Sequence, residues 1–372
     1  MTIQRLVNAI TSGQFDAKFR ELYGSSERMI MKQRARYISA AEHFSRTYPE
    51  CDDVKLFSSP AVINIGGDTY HHGGSALAAA VTCDIIAISG ANEDKMIRIE
   101  SSDFPCLEIS LDGTFTDEDE KNKYSELIEK NNLTNGFNAY ISSDIPSDHG
   151  FSADDVLCEL IKAIVNNYND DILTTEEFLT AELNDSSESH TNAAYCDFSS
   201  LGYSMCITAV SGGNSRKSGD NDEMLRGMEE AAEYFGRKLL CDVDEDEFYK
   251  ELPKMRKNCS DTAVLSAIRF FEEERIASEE AKALEIGDTE EFFKFLNQSG
   301  RYSVSQEAAV ALAVSERFLG GSGAVRVCAN ESIQAFVPSY IAADYTAEMN
   351  SIFGEESCHI SGVRSIFSCC IK

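Results

Sequence analysis

Apolar and polar positions alternate in two rhythms along this chain, and each rhythm predicts a different element. Met29, Ala35, Ile38, Ala41 and Phe44 fall near helical intervals and predict helix over residues 16–48. Residues 82–89 (TCDIIAIS) and 96–100 (MIRIE) read as strands, and 106–111 alternates Leu107, Ile109 and Leu111 with Glu108 and Ser110, the period of a half-buried strand. A further strand is expected over 137–145. Helical spacing returns over 154–167 through Leu157, Leu160, Ile161, Ile164 and Val165.

The second half repeats the mixture. The polar run NDSSESHTNAA, within 181–194, reads as a loop that closes a first domain. Strands are expected at 203–210, 325–327, 333–337 and 359–367, and helices at 222–238, 261–276 and 305–318. Ser339 is the expected N-cap of a last helix reaching residue 353. The organisation is thus α/β followed by α+β, with domains at 1–195 and 196–372.

Charge narrows the function classes. The 372 residues carry 33 Lys and Arg against 63 Asp and Glu, a formal charge of -30. No basic cluster exists to displace counterions from a phosphate polymer or an anionic bilayer, so neither nucleic acid nor membrane is an expected partner. With no run of about 18 apolar residues and no basic-then-apolar start, the sequence reads as cytoplasmic. The twelve cysteines include no Cys-x-x-Cys pair, and are read as reduced, mostly buried hydrophobes.

The acidic runs suggest calcium until tested. An EF-hand loop needs Gly at its sixth position and Glu at its twelfth, but a loop starting at Asp242 would place Glu247 and Pro253 there. The runs at 117–120 and 242–247 therefore read as solvated surface, and no metal ligands are assigned. His71 and His72, adjacent in sequence, would point to opposite faces of a strand.

Residues 56–81 read LFSSPAVINIGGDTYHHGGSALAAAV and resemble the galactokinase signature. So do FRELYG (19–24), QRARYISAAE (33–42), LGYSMCI (201–207), AVLSAIRFFEEE (263–274) and IQAFVP (333–338), in the family's order. The resemblance implies the GHMP sugar-kinase fold: an N-terminal α/β domain, a C-terminal ferredoxin-like domain and a cleft between them. It also implies transfer of the ATP γ-phosphoryl group to galactose, which rests on positioning and charge stabilisation with Mg²⁺.

The family's functional positions are altered one by one. Its Pro-Gly-Arg becomes Pro60-Ala61-Val62, and a valine donates no hydrogen bond and carries no charge. The sugar stretch Gly67-Asp68-Thr69-Tyr70 lacks the family His. Asn64, Asp68, Thr69 and Gly213 are the remaining sugar-binding candidates, although Asp68 and Thr69 serve equally as a plain turn. Gly150, Ser152 and Asp154 are what remains of the phosphate loop, where Asp154 and Asp155 now open the helix. Two carboxylates about 4 Å from an anion cost on the order of several kcal/mol at an effective dielectric near 20, unless a metal bridges them.

The glycine loop of the family is replaced by the shorter Ala329-Asn330-Glu331. No Asp-Gln pair supplies the base: Asp185 and Asp197 are the nearest carboxylates, and Asp197 matches a structural position. Gly212-Gly213-Asn214 keeps the start of a later motif, but no Tyr follows before Tyr234. The expectation is a pseudokinase with no assigned catalytic residue, sensing galactose, a related sugar or a nucleotide, or contacting a protein partner. The alternatives are an active galactokinase using ATP and Mg²⁺ through Arg216, Lys217 or Asp148, and an acidic interaction protein with an empty cleft.

Overall fold

A computed structural model describes residues 1–66, 73–74, 77–111, 136–146, 151–168, 198, 201–210, 218–301, 305–328, 332–364 and 366–371. Three helices, α1 (Ile3–Thr11), α2 (Asp16–Tyr23) and α3 (Glu27–Thr47), precede β1 (Lys55–Gly66), β2 (Leu77–Ala91), β3 (Met96–Ser101), β4 (Leu107–Ser110) and β5 (Phe137–Ser143). Helix α4 (Ala153–Tyr168) follows, then β6 (Tyr203–Thr208), α5 (Ser218–Tyr234), α6 (Glu245–Asn258), α7 (Asp261–Glu285), α8 (Thr289–Leu296) and α9 (Gln306–Leu319). The chain continues through β7 (Ala324–Val327), β8 (Ile333–Pro338), α10 (Ala342–Phe353), β9 (Cys358–Ser361) and β10 (Cys369–Cys370).

The strands form a six-stranded sheet, ordered β10-β1-β2-β5-β3-β4, and a four-stranded sheet, ordered β7-β8-β6-β9. In the first, only the β3–β5 pair is parallel. Helices α1 to α3 cover one face of that sheet, packing Leu6, Ile10, Phe19, Tyr37 and Phe44 onto Leu56, Ile86 and Ile88. Helix α4 covers the other, because Val156, Leu157, Leu160, Ile161 and Ile164 make one apolar stripe against Phe57, Ile85, Ala87 and Ile141. Full burial of each such side chain contributes about 1.5–3 kcal/mol. The same core runs on through Leu284, Phe292 and Leu296 to Met205, Ile207 and Phe336 of the second sheet, so the sheets share one apolar interior.

Several elements depart from the sequence expectation. The span 16–48 is two helices, broken at Gly24, whose φ is 84°. β1 was hidden behind SSP (58–60), which interrupts any alternation; the strand absorbs the proline with register shifts between Pro60 and Val62 and between Asn64 and Gly66. α6 holds Pro253 inside it, and its start explains the acidic run at 242–247. Asp244 caps that helix, accepting the Glu247 N–H at 2.9 Å, and Glu245, Asp246 and Glu247 fill the first turn. The last helix is capped by Ile341 rather than Ser339, and the strand expected over 359–367 spans Cys358–Ser361.

Beyond β9 the chain crosses to the first sheet. The Thr82 N–H donates to Gly362 O at 2.9 Å, the Arg364 N–H to Ala80 O at 2.8 Å, and β10 pairs with β1 at Phe57–Cys370 and Ser58–Cys369. Among the described residues no helix is long and apolar enough to cross a membrane. Most described cysteines are half-buried rather than buried; Cys206 and Cys358 lie inside, and Cys106 and Cys241 are exposed.

Candidate functional site

The pairing registers place the altered motifs at one end of the first sheet. β1 and β5 run in the same direction, each antiparallel to β2 between them, so Lys55 and Phe137 share one end and Val62 and Ser143 approach the other. Helix α4 runs against them. Its last turn is pinned at the Lys55 end, where Lys55 Nζ donates to Asn167 Oδ1 at 2.7 Å and Tyr168 packs on Phe57 and Phe137. Sixteen helical residues rise ~24 Å, and the seven strand steps from Lys55 to Val62 span ~23 Å. The first turn of α4, with Ser152 and Asp154, therefore comes to the level of Val62 and Asn64.

On β1 the burial alternates beyond Pro60. Ala61, Ile63 and Ile65 point into the core, leaving Val62, 43% exposed, and the half-buried Asn64 on the opposite face. Their cross-strand partners are Ala80 and Ala78. This patch carries no charge.

At the start of α4, Ser152 serves the helix. Its Oγ accepts the Asp155 N–H at 3.3 Å, and its carbonyl accepts the Val156 N–H at 3.2 Å. Asp154 and Asp155 are exposed in the first turn, where their charge suits the helix dipole.

Beside this patch lies a buried cluster that sequence reasoning missed. Asp84 on β2 is fully buried and accepts hydrogen bonds from Tyr23 Oη at 2.6 Å, Arg36 Nη1 at 2.6 Å, Arg364 Nη1 at 3.4 Å and the Ser58 hydroxyl. Arg36 also donates to the carbonyls of Asp84 and Ser142, each at 2.7 Å, and faces Asp144 at 3.4 Å. Burial alone would lower the Arg36 pKa, but the charges of Asp84 and Asp144 hold it above the ordinary guanidinium range. Burial, seconded by Asp84, pushes the Tyr23 phenol well up. For Asp144, burial raises the carboxyl pKa against the pull of Arg36, and Lys32 stands 3.7 Å away.

Asn64 and the start of α4, with Ser152 and Asp154, thus come to one end of the sheet but on opposite faces of it, since Ala61, Ile63 and Ile65 are the residues that turn toward α4. Asp68, Thr69, Gly150 and Gly213 lie outside the described residues, as do His71, His72, Asp148, Asp185, Asp197, Arg216, Lys217 and residues 329–331. Glu280 of α7, which no motif flagged, is buried against the end of β1: a Cβ added at Gly66 would meet its Oε2 at 1.7 Å, so only glycine fits there. Its one available signal was a carboxylate on the apolar stripe of a long helix. Among the described residues no group of three or more His, Cys, Asp or Glu could hold a metal.

At the opposite end of the sheet is a concavity of about 620 Å³, lined by Glu50, Asp52, Asp53, Lys55, Asn138 and Tyr168 among others. Its wall includes the anchor of α4, since Lys55 Nζ also lies 4.8 Å from the Tyr168 ring centroid.

No family model matches the chain. Over 126 residues it is 31% identical to a galactokinase of Lacticaseibacillus paracasei, which is 31% of this chain and 32% of that protein. The chain therefore matches about a third of the length of that curated relative. In structure it resembles Lactococcus lactis galactokinase in complex with galactose, with a TM-score of 0.70 and 16% identity over 88% of this chain and 97% of the other. The mevalonate kinase of Methanococcus jannaschii superposes with a TM-score of 0.55 and 13% identity, over 84% and 99% of the two chains. The chain is galactokinase-like and has the GHMP-kinase fold.

Proposed function

We propose that this galactokinase-like chain binds a sugar without phosphorylating it, acting as a sensor on a kinase scaffold. The observation that carries the reading is Val62. It stands exposed on β1 in the position where the resemblance puts the family's Arg, so this position offers no cation to a reacting hydroxyl or a transferring phosphoryl group. The start of α4 supports it. Ser152 is engaged as a cap, and Asp154 and Asp155 are exposed in the first turn of the helix, where the resemblance puts the family's phosphate loop. Without a metal to bridge them, the two carboxylates on the helix and the neutral β1 face offer no compensation for a triphosphate. The kinship with galactokinases, one of them solved with galactose, supports a hexose as the ligand. Scaffold and chemistry are separable in this way because a fold does not fix a function.

One observation favours the rival, an active sugar kinase. Lys32 is 61% exposed at the same end of the sheet, with its ammonium near Asp144. A coupled assay with ATP, Mg²⁺ and galactose separates the two readings. Galactose-dependent ADP formation that Lys32→Ala abolishes would establish the rival. Thermal stabilisation by galactose with no such turnover is the expected result, since a ligand that binds only the native state raises its melting temperature.

A further inference from the structure

We propose that Cys206 on β6 and Cys358 on β9 are a reversible disulfide site, closed by a peroxide and reopened by a thiol reductant. The site is independent of the sugar-binding reading above.

Strand register brings the two sulfurs together. Across the antiparallel β6–β9 pair Thr208 faces Cys358 and Cys206 faces Ile360, so Cys206 and Cys358 are diagonal neighbours on one face of the second sheet. Both lie in one apolar cluster with Tyr345 and Met349 of α10, at 0% and 3% exposure. The two thiols hydrogen-bond one another, and Cys358 Sγ donates onward to Thr346 Oγ1 at 4.0 Å. The Cys206 thiol is thus the donor to Cys358. That bond, seconded by burial, pushes the Cys206 pKa well up, and the same bond holds the Cys358 thiol below its ordinary value against burial. Cys358 therefore ionises first and is the nucleophile toward an oxidant.

Diagonal Cα atoms in such a ladder stand ~7–8 Å apart, against ~4.4–6.8 Å across a disulfide, so closure draws the strands together by about 1 Å. β9 can make that move because it is four residues long and lies at the edge of its sheet. Its cover is thin: Ile360, two residues on, is 50% exposed, and local opening of the edge admits an oxidant as small as hydrogen peroxide. The Cys358 sulfur attacks one peroxide oxygen, the O–O bond breaks and water leaves, giving a sulfenic acid. The Cys206 sulfur then attacks Cys358, forms the S–S bond and expels a second water. Two thiols and one peroxide become one disulfide and two waters; the sulfurs together lose the two electrons that the peroxide gains. A bond that pulls two strands out of register spacing is of the labile kind that a small thiol reduces.

The test is peptide mapping of the full chain after treatment with hydrogen peroxide under native conditions, remaining thiols being alkylated before digestion. A peptide joining Cys206 to Cys358 is expected, with loss of both thiols, and dithiothreitol should restore them. Cys206→Ala should leave Cys358 as a sulfenic acid that dimedone captures, whereas Cys358→Ala should leave Cys206 a free thiol. Circular dichroism reports whether each variant folds, and if either does not, the wild-type map alone decides. A folded, peroxide-treated chain in which both cysteines still alkylate once unfolded overturns the proposal. So does a link that forms only in urea, a link from either residue to another cysteine in its place, or dimedone capture at Cys206 in Cys358→Ala.

Discussion

Two neighbouring steps of the β1–β2 ladder treat charge in opposite ways. Opposite Pro60 sits Asp84, buried and surrounded by two guanidinium groups, a phenol and a hydroxyl; opposite Val62 sits Ala80, and neither side chain is ionisable. The difference shows where this chain directs its scarce cations. With 33 basic residues against 63 acidic ones, Arg36 and Arg364 are committed to the buried Asp84, while the Val62–Ala80 step carries no ionisable side chain.

The sharpest way to break the contrast is Asp84→Ala. It leaves Arg36 and Arg364 buried beside an empty position, and the loss of one partner of a buried pair costs about 3–5 kcal/mol. Urea denaturation should show it, while Val62→Ala, on the exposed step, should leave the midpoint nearly unchanged. Equal effects from the two substitutions would erase the distinction.

Ser152→Ala comes next. Loss of the cap on α4 should cost about 1 kcal/mol of stability. Because the hydroxyl serves the helix, the substitution should not alter the response of melting temperature to ATP and Mg²⁺. A changed nucleotide response would mean that the serine keeps the role it has in kinases.

The smallest effect is one of pH. Asp144 has a raised pKa in the folded state, so the native protein holds a proton there that the unfolded chain has released. Stability from this group is therefore present at low pH and falls as pH rises from the ordinary carboxylate value of 3.8 through the folded value, then levels off. Asp144→Asn should remove that fall, so the melting temperature of the variant relative to wild type should climb over the same interval. A flat difference would assign Asp144 an unshifted pKa.

Much of this fold was legible in the sequence where burial is one-sided. The alternation at Leu107 and Ile109 and the stripe through Leu160, Ile161 and Ile164 both report a single apolar face, and both elements are present. β1 was not legible as a strand, because Ser58 and Ser59 are fully buried and Pro60 sits within it; those serines are paired by Asp84, Arg364 and Ser368, partners that no local pattern reveals. α6 was obscured by Pro253 and by acids that turn out to be its cap and first turn. Of the candidate site, the uncharged side chain at Val62 was legible in the sequence, since residue type alone decides it. The destination of the arginines was not: Arg36 meets Asp84 across 48 positions and Arg364 meets it across 280, and composition counts cations without saying which way they point.

The crossing from β9 to β10 has a consequence for the order of assembly. Arg364 reaches Ser58 across 306 residues, and β10 completes the edge of the sheet that β1 begins. A ribosome releases β1 and Asp84 long before the strand and the guanidinium that seal them, so the first sheet must wait, with one cation missing and one edge open, until nearly all of the second has been made. Residues 1–195 produced alone would be caught permanently at that stage, and the partner they lack could be supplied in trans as a peptide carrying Arg364 and Cys369–Cys370.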